Sequence, residues 1–388
     1  MGAALSRTGL HRRTPLATAT MVVAANAPDV DVLAYTQGEY FALAFRRGIT
    51  HGLPAQVLLP FAVAGAVLVW DRWVRRRRDR GAQPAVPREV LLLSCLGVLT
   101  HPALDWMNVY GMRWWLPFDG RWVYGDALFI IDPWLWLVLG GAVFLAGAGG
   151  RVLWAVLAAL TTLLMMAGLV PLGASAAWVA GLALVGMAAW RRGGRGGGEG
   201  VARGAVAVAA LYLGLMMAAG GAARRGVLRA AAEAGLSATD VMVSPSPANP
   251  FAAEVEVATA TAYVPGEHRW LPRPTVTLRT DDAVPLLTAP PGADGATVQA
   301  ILAQARRVPD ARHFLTWSRY PYAVVRRDGD AWAVRWSDAR YDGREGGGSL
   351  AGVEVRVAGA PRPVTSVRRR PARNPASRRA PATPGAGG

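Results

Sequence analysis

Lysine is absent from the 388 residues and cysteine occurs once, so all the basic charge is arginine and no intramolecular disulfide is possible. Charge of any kind is scarce: 18% of residues carry it, against roughly 25% in an average soluble protein. Beside a hydrophobic share of 52%, that shortage argues against an ordinary soluble fold. A net charge of +16 would otherwise suggest nucleic acid. Heavy use of Ala, Gly and Arg accounts for part of it, and arginine runs beside apolar segments account for the rest. No basic domain interleaved with aromatics accompanies them, so nucleic acid is not an expected partner. Cys95 lies in an apolar run and reads as a small hydrophobe rather than a nucleophile. The N-terminal stretch is expected to belong to the mature fold rather than to a cleavable signal peptide: after Arg7, Arg12 and Arg13 it is only moderately apolar, and AANAPDVD makes a poor cleavage site.

What the chain does have is length of apolar run. Crossing a bilayer takes about 20 apolar residues in a helix. Residues 53–70, 90–107, 129–147, 152–190 and 205–222 reach or approach that length, the fourth being long enough for two spans broken near Pro171. With a shorter stretch near 15–27, the expectation is an α-helical polytopic membrane domain over 1–225 with about six to seven spans. The run RWVRRRRDR, Arg72 to Arg80, should stay in the cytoplasm. Alternation from there places Arg151 and the run 191–198 inside and the loop 108–128 outside; Arg224 and Arg225 are the one mild exception. The lipid bilayer is thus the first expected partner. Between 241 and 360 the chain changes character, with the alternating runs AEVEVATATAYV, PTVTLRT, AWAVRW and GVEVRV. Period-two alternation predicts half-buried strands, hence a small β-rich domain that the topology puts outside the cytoplasm. The Arg/Pro-rich tail 366–388 should be disordered.

Polar residues beside membrane spans are costly, and so informative. His101 and Asp105 stand one helical turn apart on one face, where an imidazole nitrogen and a carboxylate oxygen can grip one divalent ion. The same pair equally suits a hydrogen bond that satisfies two buried groups. Pro102 between them favours a kink or a fresh helix start. Asp29 and Asp31, after Pro28, can bridge metal ions or simply form a solvated turn capping a helix. His51 reads as a ligand or an interfacial histidine. Arg47 reads as an interfacial anchor or a holder of an anionic group such as phosphate. Asp132 before Pro133 suits an N-cap with proline at N1. The arginine topology, drawn without these residues, gathers them at one level on the outer side. A His/Asp cluster of this kind suits Zn²⁺, Mn²⁺ or a two-metal site.

The blocks PDVD, RRGITHG, HPALDWMNVYG, LPFDGRWVYGD and IIDPW, in this order, resemble the LexA-binding, inner-membrane-associated hydrolase family. The resemblance covers roughly residues 4–147. SPANPF, FLTWSRYPY and VRWSDARY look like the extra domain that some members carry. It implies a membrane-bound metal-dependent hydrolase of the bacterial inner membrane, with no settled substrate class. One departure stands out. The family usually opens with a Thr-His pair upstream of the part resembling ALSRTGL, and this chain begins at Met1 inside that helix. Either an N-terminal piece carrying that pair is expected upstream, as the short first span favours, or the protein lacks a ligand and with it activity.

The leading expectation is hydrolysis at the outer membrane interface, with Asp29, Asp31, His51, His101 and Asp105 as ligands to a divalent metal, zinc or manganese. Asp132 would be a ligand or an orienting group and Arg47 would hold an anionic substrate, lipid-linked or a phosphoester. The alternative is a non-catalytic membrane protein, a transporter or scaffold, whose His/Asp cluster is structural or a proton relay.

Overall fold

The computed structural model describes residues 1–147, 151–166, 170–192, 198–341, 350 and 352–358; the expected disordered tail lies outside them. The chain opens with the short helix α1 (Gly2–Ser6) and α2 (Ala17–Asn26), then an eleven-residue 3-10 segment, Ala27–Gln37, and α3 (Glu39–Phe45). Helix α4 (Leu53–Trp70) runs through a π turn into α5 (Arg76–Arg78). Helices α6 (Pro87–Trp106), α7 (Pro133–Leu145), α8 (Arg151–Met166), α9 (Leu172–Arg192) and α10 (Glu199–Glu233) follow.

Three helical stretches among the described residues are long and apolar enough to cross a membrane: Leu53–Arg78, Leu172–Arg192 and Glu199–Glu233. They imply contact with a lipid bilayer. The other expected spans are shorter or more polar helices, for local reasons. Proline at the first helical position starts α7 at residue 133 rather than 129, leaving thirteen residues. Residues 152–190 break between Met166 and Leu172, beside the expected Pro171. Helix α6 is twenty residues long but carries Arg88, Glu89, His101 and Asp105 at its two ends.

Helices α2, α4 and α6 pack as one group, α7 to α10 as another, and α1 touches both. Helices α2 and α6 approach closely at Gly97 of α6, where an added Cβ would lie 2.6 Å from the Ala24 methyl. Glycine is needed there because any side chain pushes α2 off α6.

The β-rich region holds two sheets. Strands β1 (Asp240–Ser246), β2 (Asn249–Ala258), β3 (Ala262–Arg269), β4 (Thr275–Leu278) and β5 (Val284–Pro285) make an antiparallel sheet. The second is built from β6 (Leu287–Thr288), β7 (Pro321–Asp328), β8 (Ala331–Asp338) and β9 (Val353–Ala358), with β6 parallel to β7. Alternation marks β2, β3, β4, β8 and β9. Strand β1, an edge strand, escapes that reading because five consecutive residues are buried, one face under α10 and the other against Tyr320 and Tyr322. Two helices, α11 (Gly295–Ala305) and α12 (Pro309–Trp317), cover the second sheet and form its core through Ile301, Phe314 and Trp317. Helix α10 continues into this region, burying Ala223, Val227 and Ala231 against Val241, Val255 and Val257 of the first sheet.

The β-rich region rests on the loop between α6 and α7. Arg319 reaches both oxygens of Asp126 at 2.9 Å and Asp240 at 3.0 Å. The fully buried Asp338 takes bonds from Ser318, the Arg319 backbone and Arg340, whose guanidinium also donates to the Val109 carbonyl. Burial acts to raise the Asp338 pKa, but the Arg340 charge and these donors prevail and hold it below the ordinary value.

Two outcomes follow for stability. Gly97→Leu should cost roughly 1–3 kcal/mol by overpacking, read as a lower melting temperature of the purified protein in detergent. Because the folded Asp338 pKa lies below the unfolded one, its contribution is present above that unfolded value and fades as pH falls through the folded one. Melting curves from pH 7 down to pH 3 should show that loss, and Asp338→Asn should flatten it.

Candidate metal centre

The cluster is assembled from three segments. The 3-10 segment starts at Ala27 with Pro28 at its first turn, and it turns Val30, Val32 and Leu33 outward while Asp31 points in. A tight turn then carries Arg46 to Gly52. Arg47 takes a left-handed backbone, φ 52°, which costs a side-chain-bearing residue about 1–3 kcal/mol. It is pinned on both sides: its N–H donates to Asp31 at 2.8 Å, and its carbonyl accepts from the Arg113 N–H at 2.9 Å. Gly52 rather than Thr50 precedes the first turn of α4, which leaves the Thr50 hydroxyl free to donate to Asp31. The C-terminal turns of α6 supply His101 and Asp105 one above the other.

Each imidazole is oriented from behind. His101 Nδ1 lies 2.7 Å from the Ala25 carbonyl, which can only accept, so Nδ1 carries a hydrogen and the lone pair of the neutral ring is at Nε2. His51 is completely buried, with Nδ1 3.3 Å from the Asp31 carboxylate and 3.0 Å from the Thr50 hydroxyl. The carboxylate assigns it the same tautomer. Both Nε2 atoms are buried and neither has a hydrogen-bond partner.

The two nitrogens converge on the same two carboxylates. His101 Nε2 is 3.5 Å from Asp29 Oδ2 and 3.6 Å from Asp105 Oδ2, and His51 Nε2 is 3.4 Å from that same Asp105 oxygen. The ring centroids stand 5.2 Å apart. Asp29, His51 and His101 each offer a ligand atom within 4.8 Å of the others. Four donors around a zinc ion at about 2.1 Å would be separated by about 3.4 Å along the edges of a tetrahedron. The three separations given above, 3.4 to 3.6 Å, lie near that edge, and the Asp29, His51 and His101 group could hold a divalent metal ion.

Asp31 stands behind this group. Its Oδ2 accepts from the Arg47 N–H, Thr50 and His51, and its Oδ1 from Arg46 at 3.2 Å. Burial acts to raise its pKa, but these donors lower it. The His101 ring and, more weakly, His51 and Arg46 hold the Asp29 carboxyl down at about 2. For His51, burial opposes a proton, yet Asp105 and Asp31 raise its pKa. The same two carboxylates would favour any cation placed at its Nε2.

Arg47 grips Asp105 with two nitrogens, Nε at 2.9 Å and Nη2 at 3.2 Å, and donates to Asn108 at 2.8 Å. Sequence reasoning missed four supporting residues. Arg46, Thr50 and Asn108 lie inside the blocks RRGITHG and HPALDWMNVYG. Tyr212, in an apolar span, carries no local signal. Its hydroxyl donates to Asp132 at 2.7 Å, and the other Asp132 oxygen caps α7 by accepting from Leu135. Asp132 is thus placed apart from the four converging donors. It shares with His101 and Asp105 the wall of a cavity of about 650 Å³ that runs past Val22 and Leu139.

Residues 1–174 match the YdjM inner membrane protein family. That span holds every residue of the cluster and none of the β-rich region. No curated protein and no solved structure matches the chain.

Asp132→Ala should remove the cap of α7 and lower stability by roughly 1–2 kcal/mol. Thermal unfolding, run beside a metal assay, should show lower stability with unchanged metal uptake.

Proposed function

We propose, from the match of residues 1–174 to the YdjM inner membrane protein family and from the resemblance of the blocks in that span to LexA-binding, inner-membrane-associated hydrolases, that the protein is a membrane-bound metal-dependent hydrolase. The observation that carries this reading is the pair of buried, unpartnered Nε2 atoms of His51 and His101, aimed at Asp29 and Asp105. Buried polar atoms are normally hydrogen-bonded. Two that are not, facing two carboxylates, have the chemistry of a cation site.

His51, His101, Asp29 and Asp105 would hold the ion, zinc or manganese. Asp31 and the Ala25 carbonyl fix the two rings, as groups behind metal-bound histidines commonly do. A divalent cation bound there supplies charge stabilisation and acidifies water for attack on a phosphoester or acyl centre. Arg47 orients Asp105 and places positive charge at the rim, where an anionic substrate group would sit. Asp132 forms the cavity wall.

The arginine run Arg72 to Arg80 follows α4 at the end opposite His51, which precedes that helix. Kept in the cytoplasm, it would put the cluster and the β-rich region on the extracytoplasmic side, with α6 to α10 completing the spans. A substrate at that level meets lipid headgroups, which favours a lipid-linked or phosphoester compound.

Protein purified without chelator should contain about one zinc or manganese per chain by elemental analysis. His51→Ala and His101→Ala should abolish it, while Asp31→Ala should weaken affinity by about 10- to 100-fold. A folded wild-type protein that takes up neither metal from buffered solution would sink the proposal.

A further inference from the structure

Two sequence blocks, FLTWSRYPY and VRWSDARY, lie outside the family match and take no part in the metal centre. In the fold they meet. Trp317, Arg319, Asp338, Arg340 and Tyr341 all gather on the face of the β-rich region that rests on the loop after α6. We infer that this region is a fixed cap that sets Arg47 of the metal centre through an aromatic relay, with Trp317 and Tyr110 as positioning residues.

The relay can be followed ring by ring. The Arg47 guanidinium lies over the Tyr110 ring, 4.6 Å from its centroid. Tyr110 in turn meets Trp317, centroid to centroid 5.5 Å, and Trp317 is completely buried. Behind Trp317 stand Tyr341, stacked at 5.7 Å, and Arg340, 4.8 Å from the Trp317 centroid. Arg340 also donates to the carbonyl of Val109, the residue before Tyr110. The cap therefore holds both the ring of Tyr110 and the backbone that carries it. Trp122, from the same loop, closes the other edge of Tyr110 and donates to the Thr316 carbonyl of α12 at 2.7 Å.

The same loop fixes Arg47 by polar contacts. Asn108 Oδ1 accepts from both the Tyr110 N–H and Arg47 Nη1. A second contact joins the cap to the turn carrying Arg47: Leu43 of α3 lies in the cap's core, and the Tyr40 hydroxyl donates to the Gly352 carbonyl at 2.9 Å. Arg47 needs such support, since its left-handed backbone is unfavourable by itself. With Arg47 set, its two nitrogens set Asp105, and Asp105 Oδ2 faces both histidines.

The reading of the cluster as a metal site supplies the chemical consequence of this positioning, while the positioning is measured without metal. In the metal-free full-length protein in detergent, the rate at which phenylglyoxal modifies Arg47, followed by peptide mass spectrometry, reports how firmly that side chain is held. Trp317→Leu and Tyr110→Leu should each raise it about tenfold, as expected for loss of one cation–π stack. The double variant should react no faster than Tyr110→Leu, and Tyr110→Phe should restore the wild-type rate. An unchanged rate in folded Trp317→Leu overturns the inference. If Trp317→Leu does not fold, Trp317→Phe decides: a rise of a few-fold supports the relay, and the wild-type rate overturns it. Cobalt(II) then tests the consequence separately. Its visible absorption at the site should shift in Tyr110→Leu and return in Tyr110→Phe. A wild-type protein that binds no cobalt counts against the metal site and leaves the Arg47 rates to decide the relay.

Discussion

Buried imidazole nitrogens usually have a hydrogen-bond partner. In this protein two imidazoles are turned by groups behind them, the Ala25 carbonyl and Asp31, so that both Nε2 atoms face one small space. Two carboxylate oxygens border that space. Each choice is unfavourable alone, because desolvated acceptors and adjacent negative charge both cost energy. They become favourable together only around positive charge. The long 3-10 segment, the strained turn at Arg47 and the polar end of α6 together bring these side chains to one place.

How much of this the sequence discloses depends on whether a feature is local. The i, i+4 pair His101 and Asp105 is visible because a helix puts both on one face. Asp29, Asp31 and His51 are visible as costly residues at a common depth, which arginine placement supplies without any contact being known. Sequence does not reveal the division of labour between Asp29 and Asp31. Two residues apart in the chain, one faces His101 while the other is covered by four donors, and only the fold of Arg46 to Thr50 around Asp31 decides which. The pairing of Asp132 with Tyr212 is likewise non-local, joining α7 to α10 across 80 residues.

The same division runs through the fold. Long apolar runs locate α4, α9 and α10 with little ambiguity. Helices α6 and α7 are harder to assign, because polar ends and an early proline shorten their apolar stretch. Alternation finds strands with one wet face and misses β1, buried on both. Helices α11 and α12 were not foreseen, although Asp294 caps one by accepting from Thr297 and Pro309 opens the other. Short helices between strands carry too few apolar turns to stand out from a β-rich pattern.

Helix α10 is continuous from Glu199 to Glu233. Thirty-five residues of α-helix extend about 50 Å, whereas the hydrocarbon of a bilayer is about 30 Å thick. The excess is not a dangling end, since its last turns are buried in the first sheet through Val227 and Ala231. The helix therefore works as a strut of set length, anchored in lipid below and in a folded body above. Bilayer thickness and helix tilt trade off against one another in such a strut. The local thickness of the membrane thereby becomes a mechanical input to the distance between the two halves of the molecule.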